Sequence, residues 1–262
     1  MYEYKFDREK CWFKDVCGKY KTTDCCASCL RFMEFDFLIY TSRIPKVYQK
    51  SVNLKPDSCD YNSFEYLNDL KQDIINFVAA GENLFIHSCF TGNGKTTWAT
   101  KFLLRYFSEI WLGNGFKPRG LFLSTQNLLF SIKQSFNSAN NVQDLLDLIP
   151  VVDLVVWDDV AVSGLSAFEQ NTLYDFINSR MNMGLANIFT SNVSDKDLEI
   201  IFRARSIPHA FPPMVPVPII LERTSKKSSA SKYCNTSSSI FSSREIILLQ
   251  RSVFVLLEKT PC

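Results

Sequence analysis

Thr91-Gly92-Asn93-Gly94-Lys95-Thr96-Thr97 stands between two segments of different periodicity. Before it, Asn83-Leu84-Phe85-Ile86-His87-Ser88 is a short apolar run of strand length. After it, Trp98, Phe102, Tyr106 and Ile110 recur every four residues, the repeat of a helix. A glycine-rich turn between strand and helix lets successive backbone N–H groups turn inward around phosphates, with the positive end of the helix dipole behind them. In that arrangement Lys95 neutralises the outer phosphates and the Thr96 hydroxyl completes the shell of a Mg2+ ion. Thr91, Gly92, Asn93, Gly94, Lys95, Thr96 and Thr97 are therefore the candidate nucleotide-binding residues. The full pattern asks for glycine five residues before Gly94, where Cys89 stands. The competing reading is a glycine-rich turn that happens to precede a lysine.

A second stretch argues against coincidence. Val151-Val152-Asp153-Leu154-Val155-Val156-Trp157-Asp158-Asp159 is an apolar strand ending in two carboxylates, about 60 residues after the loop. This is the Walker B arrangement: the strand carries Asp158 to the Mg2+, and Asp159 orients the attacking water. Ala186-Asn187-Ile188-Phe189-Thr190-Ser191 forms a further strand whose polar tip, Thr190-Ser191-Asn192, is placed to hold that water against the γ-phosphate, with simple turn chemistry as the alternative. Between these lie a strand at Gly120–Ser124 and helices over 126–136, 142–149 and 166–183. Upstream, Leu67, Leu70, Ile74, Phe77 and Val78 predict a helix from Ser63 that stops at Gly81. Strands alternating with helices predict an α/β fold whose parallel sheet is covered by helices on both faces.

Outside this core the text changes. Five of the nine cysteines fall in the first 29 residues, at positions 11, 17, 25, 26 and 29. Cys11, Cys17, Cys26 and Cys29 offer four thiolates at spacings that suit a Zn2+ ion, with Cys25 competing for the place of Cys26. Unligated, buried cysteines are the alternative. At the other end, residues 201–262 carry 9 Lys/Arg against 3 Asp/Glu, five prolines between Pro208 and Pro218, and no glycine. The organisation expected is a Cys-rich zinc module over 1–35, a connector over 36–62, the core over 63–200, and a divergent or frameshifted, disordered tail over 201–262. No apolar run is long enough to cross a bilayer and the N-terminus has no signal-peptide h-region, which points to a cytoplasmic chain.

GNGKTT, the VVDLVVWDDV strand, and the helix running through NSRM into ANIFTSN resemble the DnaC/DnaI/IstB group of AAA+ ATPases over roughly residues 8–200, most of all phage and Firmicute replicative-helicase loaders. The resemblance implies a P-loop NTPase with a RecA-like AAA+ core, using ATP and Mg2+. It further implies binding to a hexameric DnaB-type helicase, delivery of that helicase to single-stranded DNA, and self-association. By position, Lys95 and Thr96 match Walker A, Asp158 and Asp159 Walker B, and Asn192 sensor 1. Arg180 matches an arginine found near subunit interfaces in the group, with a solvated helix arginine as the alternative. The cysteines match a shortened form of the zinc module that contacts the helicase. Past sensor 1 the match dissolves: only Arg203 and Arg205 stand near the place of an arginine finger, at the wrong spacing. Lys101, Arg105, Lys117 and Arg119 read either as a basic patch for DNA or as a solvated surface. A transposition helper ATPase and a non-catalytic, ATP-bound helicase adaptor remain as alternative functions.

Overall fold

In the computed structural model the described residues are 2–49, 53–56, 61–88, 91–135, 142–160 and 165–192, with the backbone of 252–256. Five parallel strands form one sheet: β1 (Asn83–His87), β2 (Gly120–Ser124), β3 (Leu154–Asp158), β4 (Ala186–Ser191) and β5 (Ser252–Leu256), in the order β2-β3-β4-β1-β5. Parallel strands need long crossovers, and the helices that supply them cover the sheet. One face is packed by α1 (Leu30–Ser42), α2 (Tyr61–Gln72), α3 (Ile74–Ala79) and α4 (Lys95–Ile110). The other is packed by α5 (Thr125–Ser135), α6 (Gln143–Leu148) and α7 (Ala167–Asn182). The expected P-loop α/β architecture is present.

Side-chain alternation divides the core in two. Leu84 and Ile86, Leu154 and Val156, and Ala186 and Ile188 lie in the layer under α4. Phe85, Val155, Trp157 and Phe189 lie in the layer under α7. Strands β1 to β4 place apolar side chains on both faces, as a doubly covered sheet requires. On α4, Trp98, Phe102 and Tyr106 are buried as their spacing predicts. The helix expected from Ser63 is two helices, parted at Asp73. β3 starts at Leu154 rather than Val151, because the amides of Val151 and Val152 are spent on the carbonyl of Leu148 in a turn.

Two boundaries drawn from composition do not follow the packing. Residue 35 falls inside α1, and Phe13, Phe35 and Leu38 share one buried cluster with β1 and α4. Aromatic contacts hold the segment before α1 to that helix. Trp12 and Phe13 meet Phe35, Phe6 meets Phe32, and Tyr2 meets Phe37 while donating to Asp36 at 2.9 Å. At the other end, Ser252–Leu256 joins the sheet as the edge strand beside β1, although the whole of 201–262 was expected to stand apart. The proline-rich stretch, Arg203 and Arg205 lie outside the described residues.

Candidate nucleotide-binding site

Strand alternation assembles the site. On the face beneath α4, the last apolar positions are Ile86 of β1, Val156 of β3 and Ile188 of β4. The next positions on that face are Ser88, Asp158 and Thr190, so three polar residues arrive together where the apolar layer ends. They meet the N-terminus of α4, whose first residues are Lys95 and Thr96.

The loop has the backbone that the sequence demands. Gly92 and Gly94 both adopt φ of +79°, a left-handed conformation that costs any other L-residue energy. Space around a Cβ at Gly92 is open, whereas one at Gly94 would stand 3.3 Å from the Leu54 side chain, so the connector reaches the loop. Asn93 Nδ2 donates to Ser88 Oγ at 2.5 Å and buried Lys95 Nζ donates to the Ser88 carbonyl at 3.3 Å. Thr91 and Gly92 are exposed, Thr97 is half-buried in the first turn of α4, and Cys89 lies outside the described residues.

The Thr96 hydroxyl donates to Asp158 Oδ1 at 2.9 Å across 62 residues of chain. Thr190 Oγ1 donates to the same oxygen at 2.7 Å and accepts the Asp159 amide at 3.0 Å. Asn192 Nδ2 donates to Asp159 Oδ1 at 3.1 Å, which brings the expected sensor position to the second carboxylate. Burial pushes the Asp158 carboxyl up, opposed by the hydrogen bonds from Thr190 and Thr96; the Asp159 charge adds to the rise and Lys95 opposes it. A raised carboxyl beside a lysine and a hydroxyl suits a hard divalent cation, which would neutralise it. Thr96 and Asp158 therefore fit a Mg2+ ion by donor type and proximity.

One sequence expectation needs correction. Arg180 lies neither at an interface nor in solvent: it is fully buried. Its Nε donates to Asn187 Oδ1 at 2.8 Å, Nη1 to the carbonyls of Ile149 and Val152 at 2.6 and 2.8 Å, and Nη2 to those of Asp153 and Ala186 at 3.3 and 2.7 Å. Burial pulls this guanidinium below its usual value, while the Asp153 charge holds it up. Arg119 is bound to Asp153, Arg105 pairs with Glu109 at 2.7 Å, and Lys101 lies over Trp98. The zinc set also finds no support: among the described residues no group of three or more His, Cys, Asp or Glu side chains is placed to hold a metal. Cys11, Cys17, Cys25 and Cys29 are half-buried thiols and Cys26 is exposed. Cys11 and Cys17 pack against the core beneath α4, and burial pushes the Cys11 thiol up.

Sequence reasoning passed over Ser88, and it placed Thr190 in a polar tip for the water without its contacts to Asp158 and Asp159. The signal for both was a polar residue at the next in-phase position after an apolar alternation.

No protein-family model matches the chain, and no curated protein matches it in sequence. Among solved structures it is similar to the DnaC helicase loader, at 20% identity and a TM-score of 0.47, covering 61% of this chain and 86% of that one. It is likewise similar to DnaI, at 18% identity and a TM-score of 0.43, covering 62% and 86%. AMPPCP-bound DnaA from Aquifex aeolicus follows at 16% identity and a TM-score of 0.44, covering 59% of this chain and 46% of that one. The structural neighbours thus include the loaders named by the sequence resemblance.

Proposed function

We propose that this chain binds and hydrolyses ATP with Mg2+ as a helicase loader in DNA replication, associating with a hexameric DnaB-type helicase and delivering it to single-stranded DNA. The observation that carries the nucleotide half is the meeting of Thr96, at the start of α4, with Asp158, at the end of β3, at 2.9 Å beside Lys95. The replication half is supported by the order of the sequence motifs that resemble this group.

The division of labour follows from chemistry and position. Loop amides and Lys95 bind and orient the phosphates, and the start of α4 adds its dipole. The bound Mg2+ supplies Lewis-acid charge stabilisation, and Thr96 and Asp158 are the residues that would hold it. Asp159 orients the attacking water and polarises its O–H bond, with Asn192 fixing the carboxylate. Hydrolysis in this setting acts as a conformational switch rather than as bulk turnover.

Lys95→Ala is expected to lower ATP affinity by roughly 10–100-fold, the value of a hydrogen bond to a charged group. Asp159→Asn is expected to bind ATP as the parent does and to lose turnover. Both are checked by equilibrium nucleotide binding and phosphate release; two variants binding and turning over like the parent would place the site elsewhere. Mixing the purified chain with the replicative helicase of its host tests the partner. Co-elution that survives Asp159→Asn is expected, and failure to co-elute overturns the loader reading while leaving the nucleotide site intact.

A further inference from the structure

We infer that Thr190 is the positioning residue of this site: one buried hydroxyl that sets both Walker B carboxylates, and through them the cation. This rests on the nucleotide reading above and adds a residue to it. Thr190 is fully buried on β4, the strand between β1 and β3. Its side chain and backbone engage three successive residues. The hydroxyl donates to Asp158 Oδ1 at 2.7 Å and accepts the Asp159 amide at 3.0 Å, while its carbonyl accepts the Val160 amide at 3.0 Å.

The chain needs such a clamp here. Asp159 has φ of +54°, a left-handed conformation that is uncommon for a residue with a side chain and costs energy to hold. Strand β3 ends at Asp158, so its ladder does not fix the next peptide. The bond from the Asp159 amide to Thr190 holds that peptide and so decides where the Asp159 side chain leaves the backbone. At Asp158 the effect is complementary. Thr190 and Thr96 both donate to Oδ1, and among the described residues no hydrogen bond is made to Oδ2. That selection leaves one carboxylate oxygen for the cation. A hydroxyl is the group that can donate and accept at once. Threonine adds β-branching, which suits a buried strand and restricts χ1.

Thr190→Val keeps the shape and removes the hydroxyl; Thr190→Ser keeps the hydroxyl and trims a methyl. In the valine variant the Asp159 amide is expected to exchange with solvent deuterium about 10-fold faster, as for the loss of one net hydrogen bond. The Mg2+ concentration giving half-maximal nucleotide binding should rise about 10-fold, while nucleotide affinity without Mg2+ stays within about 3-fold. Turnover should fall about 10–100-fold with KM within about 3-fold, and the serine variant should return all three readouts to within about 3-fold of the parent. Should the valine variant not fold, Thr190→Ala carries the same test. Unchanged exchange and Mg2+ dependence in the hydroxyl-free variant, or a serine variant as impaired as valine, overturns the inference. A parent that neither binds nor hydrolyses ATP defeats the nucleotide reading instead. The amide-exchange comparison then still decides whether Thr190 holds Asp159.

Discussion

The two ends of the sheet bury polar groups of similar kinds and use them differently. At the amino end, Arg180 spends all five N–H donors on Asn187 and four carbonyls. Asn187 also accepts from Trp157 at 3.1 Å and donates to Asn83 at 2.9 Å, and Asp153 takes bonds from Tyr106 and Arg119. At the carboxyl end, Lys95, Thr96, Asp158, Asp159, Thr190 and Asn192 also lean on one another, but beside an exposed glycine loop and with Asp158 Oδ2 unbonded among the described residues. At the amino end Arg180 is satisfied within the chain, although Asn83 Nδ2 is a buried donor without a hydrogen-bond partner among the described residues. The carboxyl end is open, and its remaining capacity suits a ligand. Buried polarity alone does not mark a site; a carboxylate oxygen left unbonded beside an exposed glycine loop and a helix N-terminus does.

Breaking the amino end should cost most. Arg180→Met removes five hydrogen bonds, leaving Asn187 Oδ1 to Trp157 and the Asp153 carbonyl to the Ala186 amide, and the expected loss is about 3–5 kcal/mol, from several buried acceptors short of a donor at about 1–3 kcal/mol each. Domains are stable by only about 5–15 kcal/mol, so urea unfolding should register a large drop in midpoint. Arg180→Lys should recover little, since an ammonium has three donors and no planar fork. A loss under about 1 kcal/mol would show that the network does not depend on Arg180, and would return Arg180 to the interface role that the resemblance implies.

The open end should respond with the opposite sign. Burial pushes the Asp158 carboxyl up, so in the window between its unfolded and folded titrations the native state binds more protons. Stability of the free protein therefore falls as pH rises through that window, and the ionised carboxylate is a net cost at neutral pH. Asp158→Asn is expected to raise the melting temperature of the free protein by about 2–4 °C at pH 7, as about 1 kcal/mol does for a chain of this size. It should also abolish the further rise produced by ATP with Mg2+. The gain should shrink as pH falls through the range in which the parent's raised carboxyl takes up its proton. Scanning calorimetry of both proteins with and without ligand checks each part. A lower melting temperature for the free variant would mean that the carboxylate is as fully satisfied as Arg180 at the other end.

The sequence made the open end legible because its signals are local. Glycines at 92 and 94 announce left-handed backbone, Lys95 and Thr96 follow at fixed offsets, and Asp158 ends an unbroken apolar run. The amino end was harder, since what satisfies Arg180 is a set of carbonyls from the starts of β3 and β4 that no spacing rule encodes. A trace was present: Arg180 is in phase with buried Leu173 and Ile177 on the apolar stripe of α7, where a solvated arginine does not belong. Asn187, inside a strand buried throughout, was the partner to seek. How the first 29 residues are seated was hidden for a related reason. Cysteine spacing is visible along the chain, whereas the aromatic contacts that seat this segment on α1 are spread from Tyr2 to Phe37. β5 was missed because Ser252–Leu256 is an ordinary strand sequence set in a stretch whose composition suggested nothing of the fold.

The smallest expected effect lies on the helix that spans both ends. α7 carries Arg180 in its last turn and Ser166 as its N-cap, where Ser166 and Glu169 form a capping box. The Glu169 carboxylate accepts from the Ser166 amide and hydroxyl at 2.8 and 2.7 Å and pairs with Lys133 of α5 at 2.9 Å. Lys133 first, and Ser166 after it, hold this carboxyl down at about 2 rather than 4.5. A depressed carboxyl contributes stability that is complete above its unfolded value and is lost as pH falls from about 4.5 toward 2. The pair is partly in water, and glutamine can still close the capping box, so Glu169→Gln should cost only about 0.5 kcal/mol at pH 7. Its unfolding free energy should also vary less steeply with pH between 4.5 and 2 than the parent's. Urea titrations at several pH values measure both quantities. A cost above about 1.5 kcal/mol would mean that the start of α7 is locked as firmly as its end. In that case rigidity would not distinguish the ends of the sheet, and the difference between them would rest on the unbonded oxygen of Asp158 alone.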